Sequence, residues 1–208
     1  MLGVLAAGNA QAISITAIAT DDGTDTVLNG TQLQDGDFLI QANPGNPVFT
    51  SLGDGFDETL TWDFDFNTDP LLGDFMSTIS SGASLKSAAL TFDVTPTNSL
   101  ITTDNTGIPD VQRIAIPDIP GVTESVGTDL VFTLELLDFG FDSTTLLNAF
   151  NTGEANSIPW IWQDDVVMRS ASLTLKTPEP AASFGLLAVG LASLGMVKSS
   201  RIRTIERK

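Results

Sequence analysis

The sequence predicts an all-β fold, a jelly-roll-like antiparallel β-sandwich, followed by a hydrophobic C-terminal helix. Three observations carry this. Apolar side chains recur at every second position in several short runs, the period of a half-buried strand. Between those runs lie clusters of Asp, Gly, Thr, Ser and Asn, the residues of turns. Near the end, Ala181 to Val197 carries no charge and leads straight into a basic tail.

In chain order, a weaker strand is expected over residues 13–20, and others over 37–42 and 48–52. The clearest strand follows: Leu60, Trp62, Phe64 and Phe66 alternate with Thr59, Thr61, Asp63 and Asp65. Residues 70–79 offer a turn or so of helix. Ala88, Leu90, Phe92 and Val94 then alternate with Ala89, Thr91, Asp93 and Thr95. A weaker strand falls at 112–116, and Leu130, Phe132, Leu134 and Leu136 face away from Thr133 and Glu135. Residues 143–150 read as a helix with Ser143 as its N-cap. Residues 166–170 and the alternation Ala171, Leu173, Leu175 close the domain. Ser87–Phe92 and Ser170–Leu175 share a small-small-apolar-Thr-apolar frame, as two equivalent strands of one sandwich would. Eight or more short strands separated by turn residues make a sandwich or jelly roll.

Composition excludes several chemistries. The 208 residues hold 9 Lys+Arg against 26 Asp+Glu, a net charge of −17, and no Cys, His or Tyr. Without His there is no imidazole base and no Ser-His or Cys-His nucleophile pair. Without Cys or His there is no ordinary zinc, iron–sulfur or haem ligation. Residues 13–177 hold 24 of the acids and only Lys86, Arg113, Arg169 and Lys176 as cations. Their net charge of −20 is the reverse of a nucleic-acid footprint, so no nucleic-acid partner is expected.

The two ends read as targeting segments. Residues 1–12 fit the tail of a secretory signal peptide whose start lies upstream, with Ala10 and Ala12 in the small-x-small pattern that signal peptidase cuts after. Cleavage there leaves Ile13 as the first mature residue. At the other end, Pro178-Glu179-Pro180 precedes an uncharged segment, 181–197, of ~25 Å as a helix, the short end for a bilayer core of ~30 Å. The tail, residues 198–208, concentrates Lys198, Arg201, Arg203, Arg207 and Lys208, the pattern that keeps a tail cytoplasmic and the preceding domain outside.

Pro178, Glu179 and Pro180, the apolar helix and the basic tail together closely resemble the PEP-CTERM sorting signal. The resemblance covers residues 178–208 and leaves 13–177 uncovered. It implies export in an exopolysaccharide-producing Gram-negative bacterium, cyanobacteria among them. It also implies transient tethering in the inner membrane through the helix, processing by an exosortase, and placement at the cell surface or in the extracellular matrix. It implies no biochemical activity.

Within the domain, calcium is the best ion candidate, because it takes carboxylates and carbonyls converging from loops. Residues 21–25, 35–37 and 54–58 are Asp-rich, and Asp164 and Asp165 precede the closing strand. If first and last strands are neighbours, Asp164 and Asp165 approach Asp21, Asp22 and Asp25, a candidate structural Ca²⁺ site. The competing reading is a solvated acidic surface. Trp160 and Trp162 share a face with Ile158, which reads as core. On a loop, they would instead form an aromatic edge for a glycan, beside Asp164 and Asp165. The expected role is a non-catalytic surface or matrix protein that binds polysaccharide. The alternatives are a secreted glycoside hydrolase using an Asp/Glu pair, or a purely structural coat protein.

Overall fold

The computed structural model describes residues 11–42, 58–97, 105–115, 126–152, 156–163 and 166–179. In chain order these form β1 (Ser14–Thr20), β2 (Thr26–Asn29), β3 (Gln32–Asp35), β4 (Phe38–Ala42), β5 (Glu58–Asp65), α1 (Leu72–Ser80), β6 (Ser87–Pro96), β7 (Asn105–Ile108), β8 (Gln112–Ala115), β9 (Leu130–Glu135), α2 (Ser143–Thr152), β10 (Ser157–Gln163) and β11 (Val166–Lys176). A single 3₁₀ turn, Leu136–Phe139, links β9 towards α2 and ends at Gly140, whose φ of 86° a side chain would resist. The expected strand at 48–52, the signal-peptide residues up to Ala10, and everything from Pro180 onward lie outside the described residues. Among the described residues no helix is long and apolar enough to cross a membrane.

The fold is all-β, in two antiparallel sheets. One has four strands in the order β1-β11-β6-β9, the other seven in the order β2-β3-β4-β5-β10-β7-β8. Pairing is nested along the chain: β1 with β11, β5 with β10, β6 with β9, and β7 with β8. The hairpin strands β2 to β4 extend the larger sheet beyond β5. The echoed segments prove to be neighbours, with Ser87 opposite Lys176 and Phe92 opposite Ala171.

Alternation decides which face each strand buries. Leu60, Trp62 and Phe64 of β5 point inward, as do Ala88, Leu90, Phe92 and Val94 of β6 and Ala171, Leu173 and Leu175 of β11. Phe92 bridges the sheets, edge-to-face with Trp162 at 4.8 Å and with Trp62 at 6.3 Å. Beyond the area they bury, such pairs are worth about 0.5–1.5 kcal/mol each. Trp160 donates its indole N–H to Thr106 Oγ1 at 2.7 Å, and that hydroxyl donates on to the Ile161 carbonyl at 2.9 Å, so a buried polar pair is satisfied inside the larger sheet.

One local expectation is corrected. Ser143 does not cap α2. Asp142, one residue earlier, accepts the Thr145 N–H at 2.6 Å, while the Ser143 hydroxyl accepts the Leu85 N–H at 2.6 Å and ties α2 to the lead-in of β6. Glu135, on the polar face of β9, is held by the neighbouring strand. Its carboxylate accepts the Ser87 hydroxyl at 2.5 Å and the Ala88 N–H at 2.6 Å, fastening the end of β9 to the start of β6.

The domain ends meet. Ile13 donates its N–H to Thr177 Oγ1 at 3.2 Å, and Thr177 returns its own N–H to the Ile13 carbonyl at 2.9 Å. Thr177 is completely buried. The two residues expected to bound the mature domain are therefore clasped together, one position before Pro178.

Candidate functional site

Side chains pointing away from the core on β3, β4, β5 and β10 line an open groove of about 460 Å³. The cross-strand register assembles it. Gln34 lies opposite Leu39, and Leu39 opposite Thr61, forming one row across β3, β4 and β5. The next row sets Asp63 opposite Pro159. Asp37 stands on the β3–β4 turn, Asp65 ends β5, and Pro109 on the β7–β8 turn closes the far side. Four inter-strand spacings of ~4.8 Å make the groove about 19 Å long.

Its polar lining is held in place through the backbone. Asp65 Oδ1 accepts both the backbone N–H and the side-chain amide of Asn67, at 2.8 and 2.7 Å. Asp37 Oδ2 accepts the Thr20 N–H at 2.9 Å, and Gln34 donates its amide to the Gly36 carbonyl at 2.8 Å. Among the described residues, Asp65 Oδ2, Asp37 Oδ1 and Gln34 Oε1 have no protein donor. The groove is thus lined by oriented acceptors with Leu39 and two prolines between them.

Two of the Asp-rich loops, 21–25 and 35–37, meet by hydrogen bonding. Gly36 sits at φ 54°, and a Cβ there would lie 2.2 Å from the Thr20 carbonyl oxygen, so only glycine lets the β3–β4 turn dock on the loop after β1. Docked, Asp35 Oδ1 accepts the Asp22 N–H at 3.0 Å, and Asp22 Oδ1 accepts the Thr24 N–H at 2.9 Å. The Asp21 N–H bonds to the Arg169 carbonyl at 3.0 Å, which brings this loop to the end of β11 that follows Asp164 and Asp165. Burial first, then Asp35, push the Asp21 carboxyl above its ordinary value, with Arg169 pulling the other way. Asp25 lies on the same loop. Asp164 and Asp165 fall outside the described residues, and among the described residues no three carboxylates converge as a metal would require.

Trp160 and Trp162 are core. Both are buried, at 0% and 2% exposure, because Ile158, Trp160 and Trp162 occupy the inward positions of β10 and pack on Phe64, Phe141 and Phe92. The exposed aromatic edge read for this pair is corrected accordingly, although Trp160, with Trp62, is among the residues lining the groove. The large apolar side chains exposed among the described residues are all aliphatic. Pro178 and Glu179 leave the clasp at Thr177, whereas Pro180, the 181–197 segment and the basic residues Lys198, Arg201, Arg203, Arg207 and Lys208 fall outside the described residues.

On the opposite face, Arg169 is the bulged residue of β11, where the register with β6 shifts between Met168 and Ser170. The bulge aims its guanidinium at Asp93, at Asp129 (2.9 Å) and at the Thr95 hydroxyl. The Thr95 hydroxyl and then Arg169 hold the Asp129 carboxyl below its ordinary value. The residues of the groove were missed in the sequence as a site. Their one signal was the polar half of the β5 alternation, Thr59, Thr61, Asp63 and Asp65.

No family model matches the chain, and no match was found among curated proteins or solved structures.

Proposed function

We propose that this chain is an exported, exosortase-processed protein of the cell surface or extracellular matrix, non-catalytic, whose β-domain binds polysaccharide. The clasp between Ile13 and Thr177 is the observation that carries it. It bounds the folded domain at the positions where the signal-peptide pattern ends and the Pro-Glu-Pro motif begins. A fold bounded at Ile13 and Thr177 begins and ends where this reading puts the two cleavages, by signal peptidase before it and by exosortase after it. Signal peptidase and exosortase are the partners this reading requires. In it the domain is a jelly roll, which the nested pairing of β1 with β11, β5 with β10, β6 with β9 and β7 with β8 supports, with β2 to β4 added at one edge. The 181–197 helix is a temporary anchor. Structural Ca²⁺ shared between the loop after β1 and Asp164–Asp165 remains part of the reading, supported by the bond from the Asp21 N–H to the carbonyl of Arg169, four residues after Asp165 in the chain.

The test is expression of the full chain in an exosortase-bearing host and in the same host lacking that enzyme. Intact mass is then measured in each cell fraction. Expected is a surface form beginning at Ile13 and ending near Pro178–Pro180, with a longer form held in the inner membrane when exosortase is absent. A chain running intact to Lys208 in the cytoplasm of both hosts contradicts it.

A glycoside hydrolase is the second reading, favoured by one observation: Asp63 and Asp65 lie two apart on the groove side of β5, with Cα atoms about 6.8 Å apart.

A further inference from the structure

We infer that the groove on the outer face of the seven-stranded sheet is the polysaccharide site, and that its ligand is a neutral glycan lying across the strands. The inference rests on the polysaccharide-binding reading above and names where and what the domain binds.

Charge decides the ligand class. Among the described residues, the groove is lined by three carboxylates, Asp37, Asp63 and Asp65, and by no cation. A uronate or sulfated polymer would bring like charge into a concave site, where field lines focus and repulsion is strongest. The polar atoms left over, Asp65 Oδ2, Asp37 Oδ1 and Gln34 Oε1, are all acceptors, so the ligand must supply donors. Sugar hydroxyls do this, and a hydroxyl on a carboxylate makes a short, charge-assisted hydrogen bond. Because the Asp65 and Asp37 carboxylates are already pinned by their other oxygens to Asn67 and Thr20, little of their side-chain entropy is lost on binding. Leu39, Pro109 and Pro159 supply flat apolar contact for the carbon faces of the rings. The volume lies within the roughly 300–1,000 Å³ of ligand clefts, and a length of about 19 Å suits several rings of a polymer.

The experiment is affinity electrophoresis of the full-length protein in detergent, through gels carrying hydroxyethyl cellulose or polygalacturonate, with sugar release assayed alongside. Asp65→Asn keeps the acceptor that Asn67 uses and turns the free acceptor into a donor. Gln34→Ala removes a second acceptor, and Thr91→Ala on the opposite face is the control. Unchanged thermal midpoints for the variants show that they fold. Expected is retardation by the neutral polymer alone, without sugar release, an affinity about tenfold weaker for Asp65→Asn and Gln34→Ala, and no change for Thr91→Ala. Retardation that survives both groove variants overturns the groove while leaving polysaccharide binding intact. Stronger retardation by polygalacturonate overturns the ligand class, and sugar release replaces binding with hydrolysis. No retardation by either polymer overturns the inference and the binding reading together.

Discussion

On the outer face of the four-stranded sheet, polar groups close on one another. Thr16 meets Thr174 at 2.9 Å, Thr91 meets Thr133 at 2.8 Å, and Arg169 gathers Asp93, Asp129 and Thr95. On the outer face of the seven-stranded sheet, the carboxylates of Asp37 and Asp65 and the amide of Gln34 are each held by one atom and left open at another. Arg113, the one described cation on that face, is tied only to the neutral oxygens of Asn105 and Gln163. Both sheets bury the same kind of core. What separates them is whether the polar half of the alternation is used up internally. A face that satisfies itself stabilises; a face that leaves oriented acceptors is available to a ligand.

Even the exposed edge of β1 follows the first pattern. Its Thr16 N–H goes to Asp69 Oδ2 and its Thr20 N–H to Asp37 Oδ2, both at 2.9 Å. Acidic side chains thus occupy donors that a neighbouring strand would otherwise take.

The comparison can be broken at its common core first. Phe92→Ala removes the ring that touches Trp62, Trp162 and Phe132 across the two sheets, and should cost about 3–5 kcal/mol by chemical denaturation. Next comes the joint between the sheets: Gly36→Ala places a Cβ 2.2 Å from the Thr20 oxygen at φ 54°, so a loss of about 2 kcal/mol is expected in the same measurement. Arg169→Met sharpens the contrast between faces. With side chains about one-third exposed on both sides of the Asp93 pair, the loss should be about 1 kcal/mol and should shrink in high salt.

The smallest effect is in pH. The Thr145 N–H holds Asp142 below the ordinary 3.8, and the Thr95 hydroxyl and Arg169 do the same for Asp129. For carboxyls lowered on folding, stability is present above the unfolded value and lost as pH falls through the folded one. Asp21, raised by burial and Asp35, has the opposite sign: its contribution is present in acid and lost as pH rises through its folded value. Thermal midpoints across pH 2–7 should therefore show a shallower acid limb for Asp142→Asn and a higher neutral plateau for Asp21→Asn.

How much of this was legible follows from burial. β5, β6, β9 and β11 alternate in sequence because one face is buried and the other wet, so they could be read directly. β2 could not: all four of its residues are exposed, and only Asn29-Gly30 marked a hairpin there. β7 has only four residues and a glycine. In β10 the outward Ile161 is buried as well, so Ile158 to Trp162 reads as an apolar run rather than an alternation. The loops were legible as Asp-rich, but not the docking of 35–37 on 21–25 nor the use of their carboxylates as backbone acceptors, both of which depend on Gly36 fitting against Thr20. The groove was hidden for a related reason. Gln34, Asp37, Thr61 and Asp65 are ordinary polar positions along the chain, and only register across three strands sets them side by side.

The most direct test is a titration of the isotope-labelled full-length protein, in detergent, with soluble neutral gluco-oligosaccharides, following backbone amide shifts. The account predicts perturbations clustered at Gln34, Leu39, Thr61 and Asp65 and at the Thr20 amide bonded to Asp37, with the rest of β1 and all of β6 and β9 unmoved. Shifts centred on Thr91, Thr133 and Ser172, or none at saturating sugar, would contradict it.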